Sequence, residues 1–178
     1  MKIASISTGF LEVPGQISTN IFVQGCKLRC EGCQSPELQK FTGGEDIPNI
    51  KLLEMIFEYK MANWVCWLGG DATYQSLDLE VLNTWIHVGH RFVCLYTGKT
   101  FEQLGNEMSL LSFDLIKCGP WKGLTVSDKN TNQKFYLQYD IGQFAIIQHS
   151  DLEQTLKIFV AAKTRSRKLI GKTDVNKT

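Results

Sequence analysis

A chain of 178 residues, 43% apolar and 21% charged, has room for one domain with its own core and the balance of an ordinary globular protein. It has no apolar run near the ~20 residues of a membrane span, and Met1-Lys2-Ile3-Ala4-Ser5 begins neither a signal core nor a cleavage site. The net charge of +1 is uneven: residues 163–178 carry Lys163, Arg165, Arg167, Lys168, Lys172 and Lys177 against Asp174, so the remainder is negative.

Apolar runs and helical patterns alternate along the chain. Asn20–Gln24 reads as a strand leading into a loop with three cysteines. Asn49–Met61 has helical spacing at Leu52, Leu53, Ile56 and Phe57. Asn63–Leu68 is a strand ended by Gly69-Gly70. Ser76 is placed to cap a helix to about Val88, with Leu77, Val81, Leu82, Trp85 and Ile86 inward. Arg91–Tyr96 is the next strand. Thr100 and Gln103 form a capping-box pattern for a helix to about Leu111. Phe113–Lys117 is a fourth strand, ended by Gly119-Pro120. Trp121–Gln133 is polar and aperiodic, so it reads as a long loop. Lys134–Tyr139 and Phe144–Gln148 are late strands. Ser150 and Glu153 form a second capping-box pattern, for a helix to about Ala162. This alternation predicts a parallel sheet with covering helices. It is read as one domain over residues 1–162 and a flexible basic tail over 163–178.

Cys26, Cys30 and Cys33 are spaced C-x3-C-x2-C, directly after the first strand. Three thiols so close make a poor disulfide set and a good metal cradle. They are one ligand short of a closed zinc site or a fully ligated cubane cluster. Ligands in open α/β sheets bind beyond the carboxyl ends of the strands. Here those ends carry the cysteine loop, Gly69-Gly70-Asp71, Tyr96-Thr97-Gly98 and Cys118-Gly119-Pro120. Parallel strands bring all four to one edge. Glycines at such a position let backbone approach a ligand closely.

The cysteine loop, with a Gly-Gly-acidic triplet at the next strand end, resembles the radical S-adenosylmethionine superfamily. The run VPGQISTNIFVQGCKLRCEGCQSPELQ, the phrase LYTGKTFEQL and the later NTNQKFYL resemble the activating proteins of anaerobic (class III) ribonucleotide reductase, over about Val13 to Leu137. The resemblance implies an incomplete, partial TIM-like α/β barrel with a mostly parallel sheet and a cluster at its carboxyl edge. It implies that Cys26, Cys30 and Cys33 bind three irons of a [4Fe–4S] cluster, and that S-adenosylmethionine chelates the fourth. Gly69, Gly70, Asp71, Tyr96 and Thr97 are the implied cofactor-binding residues. The implied activity is reductive cleavage of S-adenosylmethionine and formation of a glycyl radical on the large reductase subunit, with an external electron donor such as flavodoxin. No side chain is nominated as a general acid or base. Two departures stand out: Cys118 replaces the aspartate usual before Gly119-Pro120, and Ala72 follows Asp71 where proline is usual.

The alternatives are a radical enzyme acting on a small molecule, similar to 7-carboxy-7-deazaguanine synthase, and a zinc-stabilised nucleic-acid-binding module. The zinc reading takes its fourth ligand from Cys66, Cys94, Cys118, His87 or His90. Otherwise Cys66 and Cys94 read as small buried hydrophobes. Cys118 reads as structural or as lying near a substrate channel. His87 and His90 suit the end of a helix dipole, and Trp64, Trp67 and Trp121 read as packing residues. The basic tail could bind an acidic surface by charge, but no aromatic residue is interleaved there to stack on bases, so nucleic acid is not an expected partner. A cytoplasmic location is expected, where thiols stay reduced.

Overall fold

The computed structural model describes residues 1–123 and 131–175, with backbone only beyond 166. Residues 124–130 of the expected polar loop, and 176–178, lie outside the described residues. Among the described residues, eight strands form one sheet: β1 (Lys2–Gly9), β2 (Ser18–Val23), β3 (Glu45–Asp46), β4 (Trp64–Gly69), β5 (Phe92–Thr97), β6 (Leu115–Cys118), β7 (Lys134–Asp140) and β8 (Gln143–Ile147). The spatial order is β3-β1-β2-β4-β5-β6-β7-β8. The centre, β2-β4-β5-β6, is parallel. Antiparallel pairs flank it on both sides. The sheet stays open between β3 and β8, so the barrel is partial.

The parallel strands are continuous apolar runs because they are covered on both faces. Side chains alternate between those faces. Ile21, Val65, Trp67, Val93, Leu95 and Ile116 point outward, under α1 (Asn49–Glu58), α2 (Ser76–Val88) and α3 (Phe101–Glu107). Trp64, Cys66, Phe92, Cys94 and Leu115 point inward, where Leu152, Leu156 and Phe159 of α4 (His149–Val175) meet them. Trp64 stacks on Phe92 with ring centroids 5.1 Å apart, and Trp67 Nε1 donates to Asn83 Oδ1 at 2.8 Å.

The six central and late strands fall within two residues of their predicted ends. β1 and β3 have no counterpart in the sequence reading. β1 (KIASISTG) is mostly small and polar, with half of its residues exposed and one buried, so it has little apolar alternation. The capping box of Thr100 and Gln103 is present, though α3 ends at Glu107 and Leu110–Ser112 forms a separate 3-10 turn. Three expectations are corrected. Ser76 is the first helical residue of α2 and makes no side-chain cap; Asp71 instead caps the short 3-10 turn Ala72–Gln75. The buried face of α2 is Leu79, Leu82, Asn83 and Ile86, while Leu77, Val81 and Trp85 are exposed. Ser150 lies inside α4, and its hydroxyl bonds Asp151. α4 itself runs past Ala162 to Val175, through most of the basic segment. Among the described residues, no helix is long and apolar enough to cross a membrane.

Candidate functional site

The parallel strand ends do converge. They surround a cavity of about 290 Å³ lined by Cys26, Cys30 and Cys33, by Gly69 and Gly70, and by Tyr96, Thr97 and Gly98. Chain crossings at that edge are tight. Gly70 N–H donates to Val23 O at 2.7 Å, and Asp71 N–H to Gly25 O at 2.9 Å, so the glycine turn is laced to the root of the cysteine loop. A Cβ on Gly70 would stand 2.5 Å from Gly25 O, and Gly69 has φ +101°. Only glycine fits there without backbone movement. Trp121 lines the cavity and clamps the cysteine loop, its Nε1 donating to Gly32 O at 2.9 Å. That is the packing role expected of it.

The thiols are spread along the cavity wall. Among the described residues, no three His, Cys, Asp or Glu side chains converge as on a single ion. Burial pushes the Cys26 thiol above its ordinary pKa, opposed by the Leu28 N–H that points at its sulfur from 3.5 Å. Among the described residues, no fourth cysteine and no histidine lines the cavity. Cys66 and Cys94 face each other across β4 and β5 in the inner core. Cys118 is buried in the outer core, its pKa pushed up to about 12. His87 sits in the last turn of α2, with Nε2 2.9 Å from Asp114 Oδ2. The donor set present is thus three cysteines beside a glycine-lined opening. It fits a cluster with one iron left for another ligand, and it lacks the four-ligand set of structural zinc.

A scan against family models agrees. A model described as a 4Fe-4S single cluster domain matches residues 13–137, well over half the chain. The chain belongs to this family. The family's description names a single 4Fe-4S cluster, and the three-cysteine loop falls inside the matched residues. A pyruvate formate-lyase-activating enzyme from Clostridium pasteurianum is 37% identical over 54 residues, 30% of this chain and 22% of that enzyme. QueE from Escherichia coli superposes with a TM-score of 0.49 at 15% identity, over 69% of this chain and 60% of that one. The chain therefore spans less than two thirds of either relative.

Asp71 does not line the cavity. It is fully buried, and both its carboxylate oxygens are occupied within the protein. Oδ1 accepts from Thr73 N–H at 3.1 Å and from the Thr73 hydroxyl at 2.7 Å. Oδ2 accepts from the Thr97 hydroxyl at 2.6 Å and from Gly98 N–H at 3.2 Å. Tyr96 lines the cavity with its hydroxyl donated to Glu12 O.

Three polar residues of the cavity were not foreseen as ligands. Among the described residues, Glu12 Oε2 and Gln133 Oε1 are buried without a hydrogen-bond partner. Lys117 holds its ammonium 4.6 Å from the Tyr96 ring centroid, and burial lowers its pKa. The readable signal was a lysine at the carboxyl end of the apolar strand FDLIK. Glu12 sits in an irregular turn with no periodicity to read. Asn132 and Gln133, noted as part of the resemblance, pin the turn after β6: Asn132 Nδ2 donates to Pro120 O at 2.7 Å and Gln133 Nε2 to Gly119 O at 3.3 Å.

Proposed function

We propose that the chain is a glycyl-radical activase, which cleaves S-adenosylmethionine reductively and leaves a radical on a backbone glycine of the large subunit of anaerobic ribonucleotide reductase. The observation that carries this reading is the meeting of the Cys26-Cys30-Cys33 loop, Gly69-Gly70 and Tyr96-Thr97 around one cavity at the edge of an open sheet. Cys26, Cys30 and Cys33 would hold the cluster. Gly69 and Gly70 give the methionine end of S-adenosylmethionine a wall of bare backbone. When bound, these two cofactors supply one-electron cleavage of a carbon–sulfur bond, coupled to hydrogen-atom abstraction.

The protein's share is holding and shielding. Tyr96, tied to the turn that carries Glu12, gives the cavity a fixed aromatic wall. Trp121 ties down the cysteine loop through Gly32 O. The proposal brings the partner's peptide loop to the cavity at the carboxyl edge of the parallel strands. The local similarity to a pyruvate formate-lyase-activating enzyme supports an activase. The partner subunit and an external electron donor such as flavodoxin complete the proposal.

One observation favours a second reading. Glu12 Oε2, Gln133 Oε1 and the Lys117 ammonium offer an orienting set for a small polar substrate, as in an enzyme similar to 7-carboxy-7-deazaguanine synthase. The two part in one experiment: reduced protein, S-adenosylmethionine and the candidate reductase subunit are mixed anaerobically and followed by EPR. The activase reading predicts a glycyl doublet. Cofactor cleavage without that doublet contradicts it.

A further inference from the structure

The geometry points to Asp71 as a positioning residue that works through Thr97 and Gly98, and not as a direct contact of the bound S-adenosylmethionine. This rests on the cavity taking S-adenosylmethionine and is independent of the identity of the radical's recipient.

The carboxylate has no reach to spare. A buried carboxyl group must be met by hydrogen-bond partners, and Asp71 is met by four: Thr73 N–H and hydroxyl on Oδ1, Thr97 hydroxyl and Gly98 N–H on Oδ2. The residue is 0% exposed and absent from the cavity wall, while Gly70 before it in the chain and Thr97 and Gly98 across the Oδ2 bonds line that wall. Gly69 and Gly70 form the end of β4, and Thr97 and Gly98 the end of β5. Past Trp67 and Leu95 no ladder bond joins these two strands. Asp71 supplies the missing link, a side-chain bridge where the strands splay to admit a ligand. The network runs on, since the Thr97 hydroxyl accepts from Lys99 N–H at 3.1 Å and Gly119 N–H donates to Lys99 O at 2.8 Å. One carboxylate thereby sets the spacing of three strand ends around the cavity. Its Thr73 bonds hold the 3-10 turn that starts α2, so the outer layer fixes the carboxylate's own rotamer.

The test is a double-mutant cycle on S-adenosylmethionine affinity, measured by anaerobic calorimetry on cluster-loaded protein. The variants are Asp71→Asn, Thr97→Val, their combination, and Thr97→Ser. A buried hydrogen bond of this kind is worth about tenfold in an equilibrium constant. The positioning role predicts that Asp71→Asn and Thr97→Val each weaken binding about tenfold. The double variant then falls no further than the weaker single variant, because both break one link, and Thr97→Ser, which keeps the hydroxyl, binds as wild type. A second readout needs no cluster: amide hydrogen exchange at Thr73 and Gly98 speeds up in Asp71→Asn, while exchange in β4 is unchanged, which shows the fold intact. Additive losses, or a Thr97→Val variant with wild-type affinity beside a crippled Asp71→Asn, would overturn the proposal and make Asp71 a direct ligand contact. Failure of the wild-type protein to bind S-adenosylmethionine at all overturns the reading of the cavity instead.

Discussion

The two faces of the sheet are built for different work. The outer face is apolar from β2 to β6, with Ile21, Trp67, Leu95 and Ile116 sealed under α1, α2 and α3. The inner face is apolar only in its lower half, where Trp64, Phe92 and Leu115 meet α4. Above that level it carries Tyr96, Lys117, Glu12 and the three cysteines around a cavity. Identical strands thus serve stability on one side and a ligand on the other, because alternate side chains face opposite ways. The lesson is that changes one residue apart on the same strand should fail in different assays.

Substitutions can break that contrast. The largest effect belongs to the inner rim: Cys30→Ala leaves two of three cluster thiols, so iron content collapses and S-adenosylmethionine cleavage drops to background, while the melting temperature of the apo-protein changes little. On the outer face, Leu82→Ala opens a void in a fully buried position. It costs about 2–5 kcal/mol in denaturant unfolding yet leaves cleavage per folded molecule near wild type. Gly70→Ala lies between the two. Its Cβ meets Gly25 O at 2.5 Å, so the turn and the cysteine loop must separate, at about 1–3 kcal/mol of stability and with a clear loss of S-adenosylmethionine affinity in calorimetry.

A pH titration sharpens the contrast further. Burial holds Cys118 protonated in the fold up to about 12, against 9.0 for the free thiol, and raises Cys66 in the same direction. Between those values the unfolded chain releases protons that the folded chain keeps. Stability is therefore whole below about pH 9 and declines as pH rises toward 12. Cys118→Ala flattens that alkaline slope in thermal melts in part, since Cys66 and Cys26 are raised in the same direction and keep the rest of it. The smallest effect is expected at Trp85. It is 56% exposed on α2, and Trp85→Ala shifts stability by no more than about 0.5 kcal/mol.

Trp85 also marks the limit of what the sequence discloses. The strand ends were legible because each apolar run stops at glycine, and a parallel sheet brings those stops together. The helix face was not: Leu77, Val81 and Trp85 share one apolar stripe, Leu79, Leu82 and Ile86 another, and periodicity alone does not choose between them. β1 was hidden because its pairing with β2 and β3 depends on backbone and not on apolar side chains. The cysteine cradle was plain from spacing. The direction of the Asp71 carboxylate was not, since at a strand end the same residue can face a ligand or the neighbouring strand. Lys117 was visible as a charge at the end of an apolar strand, but only the structure sets it over the Tyr96 ring inside the cavity.

The account's central claim is that the three-cysteine cluster keeps one iron open for S-adenosylmethionine at the glycine-lined end of the cavity. EPR of the anaerobically reconstituted, reduced protein, recorded before and after adding S-adenosylmethionine, tests it most directly. The account predicts a reduced-cluster signal that changes shape when S-adenosylmethionine is added. A protein that holds a single zinc and shows no such signal, or a cluster signal that S-adenosylmethionine leaves unchanged, would contradict it.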